Sequence, residues 1–87
     1  RADDIINVGG EKVSPVEVEN IATEYEEIRE CACIGVKDPE EVLGQIPVLY
    51  IVAENGSVNE EQLTKFLDKK IKKYKLPQIY LYIEELS

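Results

Sequence analysis

Three pairs of residues in this 87-residue chain have types and spacings that could do chemistry: the adjacent carboxylates Asp3 and Asp4, the adjacent glycines Gly9 and Gly10, and the cysteines Cys31 and Cys33. Neighbouring carboxylates could hold a cation, but on an extended chain they point to opposite sides, and no third ligand follows at useful spacing. A glycine pair could cradle a phosphate. This one lacks the Gly-x-Gly-x-x-Gly spacing and the strand-to-helix position of a dinucleotide loop, and reads as a hairpin turn. Residues i and i+2 of a strand share a face but sit too far apart for an easy disulfide. With no histidine and no further cysteine in the chain, a zinc site has no complete ligand set, so Cys31 and Cys33 are expected to be buried free thiols of a reducing cytoplasm. The same lack of histidine leaves Cys31, Cys33, Ser14 and Ser57 without the usual activating base. No metal site is expected, and the chain alone does not read as a self-sufficient enzyme.

The elements that must position these residues are well marked. Ile5, Ile6 and Val8 form a short β run, Gly9-Gly10 turns the chain, and Val13 follows, which predicts a hairpin because glycine reaches positive φ without steric cost. Ser14-Pro15-Val16-Glu17 opens a helix: Ser14 caps it, Pro15 takes the first helical position, and Glu17 completes a capping box, with Val13 and Val18 as the hydrophobic staple. Val18, Ile21, Ala22 and Tyr25 give that helix an apolar stripe. Cys31–Val36 reads as a buried strand, Lys37-Asp38-Pro39 as a turn, residues 40–44 as a polar loop, and residues 47–53 as the central strand, antiparallel to its predecessor. A second helix is capped by Asn59, with Gln62 in the reciprocal position and a Val58–Leu63 staple. Its stripe is Leu63, Phe66, Leu67, Ile71 and Tyr74, and Pro77 ends it. Residues 79–83 form a last strand. The expected fold is α+β: an N-terminal β-hairpin followed by a small three-stranded sheet with two helices packed on it, in the order β-β-α-β-β-α-β.

Composition sets the outer limits. A chain this short buries only a little over ~60% of its extended surface, enough for one thin-cored domain. The net charge of −8 opposes a nucleic-acid partner, because phosphate backbones need a basic face. No apolar run approaches the ~18 residues of a membrane helix. One local exception to the acidity is the run of Lys65, Lys69, Lys70, Lys72, Lys73 and Lys75. It reads as a solvated face with cations near a helix C-terminus, or as a docking patch for an anionic partner.

Order and spacing then point to a family. Arg1-x-Asp3-Asp4-x-Ile6-Asn7-x-x-Gly10-x-Lys12-Val13-Ser14-Pro15-x-Glu17-Val18-Glu19 closely resembles the hinge and hairpin motif of adenylate-forming enzymes: acyl-CoA synthetases, firefly luciferase and the adenylation domains of peptide synthetases. The resemblance continues in Ile34-Gly35-Val36-Lys37-Asp38-Pro39, in Gly44-Gln45 and in Lys73-Tyr74-Lys75-Leu76-Pro77, and ends in Glu84-Glu85-Leu86-Ser87. It covers essentially the whole chain. Val13-Ser14-Pro15 fits CoA ligases better than the Ile-Glu-Leu usual in peptide synthetases, and Asn7 replaces a lysine common after the hinge strand.

The resemblance implies a piece of a larger enzyme: residues 1–87 as its mobile C-terminal domain, closing over an N-terminal domain that binds ATP, a small carboxylic acid and Mg2+. By resemblance Arg1 contacts the nucleotide and Asp3 is the hinge. Gly10, with Gly9 and Lys12, lines the tunnel for the pantetheine of CoA. The family's catalytic lysine, in a Pro-x-x-x-x-Gly-Lys segment, is expected after Ser87, so this stretch alone should neither catalyse nor bind ATP or CoA. The expected parent is a cytoplasmic acid–thiol ligase of the acyl-CoA synthetase type. The alternatives are an adenylation domain loading a carrier protein, or a stand-alone α+β interaction module.

Overall fold

A computed structural model describes residues 5–85, so the expectations for Arg1, Asp3 and Asp4 fall outside the described residues. The elements are β1 (Ile6–Val8), β2 (Glu11–Val13), α1 (Pro15–Ala22), β3 (Ile28–Lys37), β4 (Gln45–Ala53), α2 (Glu60–Asp68), a 3-10 turn (Lys73–Lys75) and β5 (Ile79–Tyr82). This is the expected α+β order. β1 and β2 form a two-stranded antiparallel sheet, and β3, β4 and β5 form the second sheet with β4 in the middle. β3 runs antiparallel to β4, as expected, while β5 lies parallel to it. A parallel neighbour requires a crossover connection, and the α2 segment supplies it.

Local chemistry accounts for both helix starts. Ser14 Oγ accepts from Glu17 N at 3.4 Å and Asn59 Oδ1 accepts from Gln62 N at 3.1 Å, each relieving one unpaired donor of a first turn. The reciprocal half of each capping box is absent. Glu17 instead accepts from Lys75 Nζ at 2.9 Å, and the Asn59 N–H is taken by Glu27 Oε1 at 3.4 Å. Charged partners brought in by the tertiary fold outcompete the local side chain. The second helix also stops earlier than its stripe predicts, at Asp68 rather than near Pro77, with Lys72 already extended. Lys65, Lys69, Lys72 and Lys73 would stack like charges at i+3 and i+4 along a continued helix. The first helix ends at Ala22, so Tyr25 leaves the stripe and packs on Phe66 with ring centroids 5.2 Å apart.

One face of the larger sheet carries the main apolar cluster. Cys33 pairs with Leu49 and Leu49 with Tyr80, so these side chains point to a common face with Cys31 and Ile51. Val18 and Ala22 of α1 and Leu63 and Leu67 of α2 pack into the same buried cluster. Glu19 guards the β3 edge: its carboxylate accepts from Cys33 N at 2.7 Å, a donor that faces away from β4. The expectation that β3 is buried therefore holds for one face only. On the other, Ile34, Ile79 and Leu81 remain 38–41% exposed around Val48. Pro47 inside the central strand is tolerated because its carbonyl accepts from Gln78 N, so its missing donor faces β5 just before that ladder begins at Val48–Ile79.

Candidate functional site: a glycine hairpin tip and its mount

The Gly9-Gly10 tip joins β1 to β2 by a two-residue loop, since Val8 pairs directly with Glu11. Its φ angles are +59° and +90°, positive at both central residues as a type I′ turn requires. Asn7 Oδ1 accepts from Gly10 N at 3.0 Å and braces the turn. The two glycines then differ. A Cβ on Gly9 would meet Leu43 Cδ2 at 3.1 Å, whereas a Cβ on Gly10 would meet nothing within 4 Å. Gly9 faces the domain; Gly10 faces open space. Lys12 is exposed on β2, in register with Asn7.

This hairpin is held in place by the end of the β3–β4 loop and the first residue of β4. Gly9 N donates to Leu43 O at 2.6 Å, Asn7 N donates to Gln45 Oε1 at 2.9 Å, and Val8 makes an antiparallel bridge with Gly44. Ile6, Val8 and Val13 are 2%, 5% and 0% exposed, so the hairpin's inner face belongs to the core. Gly35 of β3 is the contact floor, since a Cβ there would lie 2.9 Å from Ile6 Cγ2. Gly9, Gly10 and Lys12 are thus brought together on one small β-ribbon. Sequence reasoning missed its mount, Asn7, Asp38, Leu43 and Gln45. The local sign available was an aspartate opening a loop, which favours side chain-to-backbone bonds.

The titrating groups place no nucleophile here. Burial, and then the nearby Glu19, push the Cys31 thiol up to about 12, so it stays protonated at neutral pH. Neither cysteine is part of a disulfide. Among the described residues no group of three or more His, Cys, Asp or Glu side chains could hold a metal. Lys75 is raised, first by its hydrogen bond to Glu17, and Lys73 lies 3.0 Å from Asp68. Lys69, Lys70, Lys72, Lys75 and Glu17 line an open surface depression of about 350 Å³.

The shifts also set an alkaline limit on stability. Cys31 and Tyr82 both sit at about 12 in the fold, from ordinary values of 9.0 and 10.0, and Tyr25, Tyr80 and Lys75 move in the same upward direction. A raised folded pKa gives stability that is fully present below the unfolded pKa and lost as pH rises through the folded one. The urea midpoint of the chain should therefore hold near pH 8 and fall progressively from about pH 9 to 12. Cys31→Ala should flatten the first part of that fall; an unchanged profile would show that Cys31 is not the group titrating.

Comparison with known proteins places the chain. The family model described as the AMP-binding enzyme C-terminal domain matches residues 17–87. A 2-succinylbenzoate–CoA ligase of Lactococcus lactis subsp. lactis is 38% identical over 86 residues, which is 99% of this chain and 18% of the relative. The solved o-succinylbenzoate CoA synthetase of Bacillus subtilis, in complex with its acyl-adenylate intermediate, superposes with a TM-score of 0.89 at 29% identity, covering 100% of this chain and 17% of that one. A fatty acyl CoA synthetase of Mycobacterium tuberculosis gives a TM-score of 0.88 at 31% identity, over 100% of this chain and 17% of its own. The chain thus spans less than a fifth of the length of the relatives it matches. Fold, motif order and family match agree, and the chain belongs to the AMP-binding enzyme C-terminal domain family.

Proposed function

We propose that this domain is the mobile C-terminal part of an ATP-dependent acyl-CoA synthetase. In the first half-reaction a carboxylate attacks the α-phosphate of ATP, giving an acyl-adenylate and releasing pyrophosphate. In the second, the CoA thiol attacks the acyl carbon, forming the thioester as AMP leaves with the acyl C–O electron pair. The observation that carries this reading is the tip itself: a braced type I′ turn whose second glycine faces open space while the first is fixed to the loop before β4. A side chain at Gly10 would fill the channel that a pantetheine arm must pass, so glycine is required by its surroundings in the closed enzyme as well as by its φ.

Gly10, Gly9 and Lys12 then form the wall of the CoA tunnel, Asp3 is the hinge, and Arg1 contacts the nucleotide. The preceding domain binds the acid, ATP and Mg2+, and the lysine of the adenylation step follows Ser87. The isolated domain is inactive, and the parent works in the cytoplasm; no helix among the described residues is long and apolar enough to cross a membrane. Free CoA rather than a carrier protein is the acceptor, supported by the likeness to CoA ligases.

The test is the full-length protein with ATP, Mg2+ and a panel of small carboxylic acids, offered either free CoA or a pantetheinylated carrier protein. Acid-dependent pyrophosphate release followed by a free CoA thioester is expected. Loading of the carrier alone would replace the acceptor, and no acid-dependent pyrophosphate release would sink the ligase reading. Asp3→Pro, which fixes φ, should slow one half-reaction and spare the other. Equal rates in both would remove Asp3 from the hinge.

A further inference from the structure

Residues 38–44 connect β3 to β4 and sit directly against the hairpin, and Asp38 organises them. It is 6% exposed although charged. Its Oδ1 accepts from Glu40 N at 3.0 Å, and its Oδ2 accepts from Val42 N at 3.1 Å and Leu43 N at 2.8 Å. The Asp38 N–H donates to Gly44 O and its carbonyl accepts from Glu41 N, both at 2.9 Å. All of its polar atoms therefore point into the loop it closes. That loop is bent hard enough to put Glu41 at φ +57°, a left-handed conformation costly for a residue with a Cβ. Such a turn persists only where the surroundings over-determine it, and here the carboxylate does so.

The residue whose N–H Asp38 holds most closely, Leu43, is the one whose carbonyl takes Gly9 N and whose side chain faces Gly9. One peptide further on, Gly44 bridges Val8. We infer that Asp38 is a positioning residue for thioester formation: through Leu43 and Gly44 its carboxylate fixes where the Gly9-Gly10 tip stands relative to the sheet. The role rests on the ligase reading above. It adds a residue that never meets substrate, acting through loop backbone. Its backbone partners, Leu43 and Glu40 foremost, hold the carboxyl below the ordinary carboxylate range, so the clamp is ionised throughout neutral pH.

A role confined to stabilising the β3–β4 connection would weaken every activity of the parent alike. A positioning role splits the half-reactions, and the full-length protein separates the two. Asp38→Ala should leave acid-dependent pyrophosphate exchange within about twofold of wild type while lowering kcat/KM for CoA by about 10- to 100-fold, the scale of an ångström-level misplacement. Asp38→Asn keeps one acceptor oxygen and should recover an intermediate value, with folding preserved if the alanine variant is poorly behaved. Hydrogen exchange of the peptide covering residues 5–13 should quicken in both variants, because Gly9 N loses a fixed acceptor.

Equal losses in the two half-reactions, or unchanged CoA kinetics and unchanged exchange in Asp38→Asn, would overturn the positioning role while leaving the ligase reading intact. A wild-type protein that forms no acyl-adenylate would overturn the ligase reading and this role with it.

Discussion

On the proposed ligase reading, Gly10→Leu in the full-length protein should lower thioester formation by on the order of a hundredfold while leaving adenylate formation, followed by pyrophosphate exchange, within about twofold. The domain leaves room for the new Cβ, since apart from the chain neighbours no atom lies within 4 Å of that position. What opposes it is the backbone, at φ +90°, a region that costs a residue with a Cβ about 1–2 kcal/mol. Gly56 provides the matched control: its φ is +93° and its Cβ position is also empty, but it lies in the turn after β4. Gly56→Leu should lose similar stability and neither half-reaction. If the two variants were equally impaired, the effect would be strain, and the tunnel role of Gly10 would fall.

The second large effect is on the fold. Leu49 is fully buried at the centre of β4, flanked by Cys33 and Tyr80. Leu49→Ala removes three heavy atoms and leaves a cavity, which costs about 2–5 kcal/mol. At ~0.05–0.15 kcal/mol per residue, a domain of this size has a total stability of about 4–13 kcal/mol, so that loss is a large share of the whole. Urea titration of the chain followed by circular dichroism should show a sharp fall in midpoint, or no folded baseline. Ile34→Ala on the opposite face, where the side chain is 40% exposed, should cost no more than about 1 kcal/mol. Comparable losses from the two would contradict a main apolar cluster on the helix-covered side of the sheet.

How much of this was legible depended on how far each partner lies along the chain. Ser14, Pro15 and the Val13–Val18 pair could be read directly because a helix start is decided within five residues, and both valines are indeed fully buried. Glu17 could not. Its carboxylate answers to Lys75, 58 residues away, and no local pattern announces that pair. Pro47 looked compatible with a central strand only because β5 joins one residue later than it might have. The apolar stripe hides the end of α2, since it continues through Ile71 and Tyr74 after the backbone has left the helix. The hairpin tip was legible as a glycine turn, but its mount was not. Leu43 and Gln45 reach the hairpin across more than thirty residues, one through its backbone carbonyl, and Asp38 acts on it only through its own loop. Arg1 and Asp3 stand out only by family resemblance, with nothing in local propensity to mark them.

The mount also decides where this unit can be cut. The family match begins at Glu17, which would make the hairpin look like a linker to be trimmed or exchanged at will. Ile6, Val8 and Val13 are no more than 5% exposed, and the hairpin is hydrogen-bonded to Leu43 and to Gln45 at the start of β4. A graft starting at Glu17 would therefore import a body with an open wound along Gly35, Leu43 and Gln45, and would orphan the tip on a foreign scaffold. The smallest transplantable piece begins upstream of Ile6, so hairpin and sheet must be inherited together.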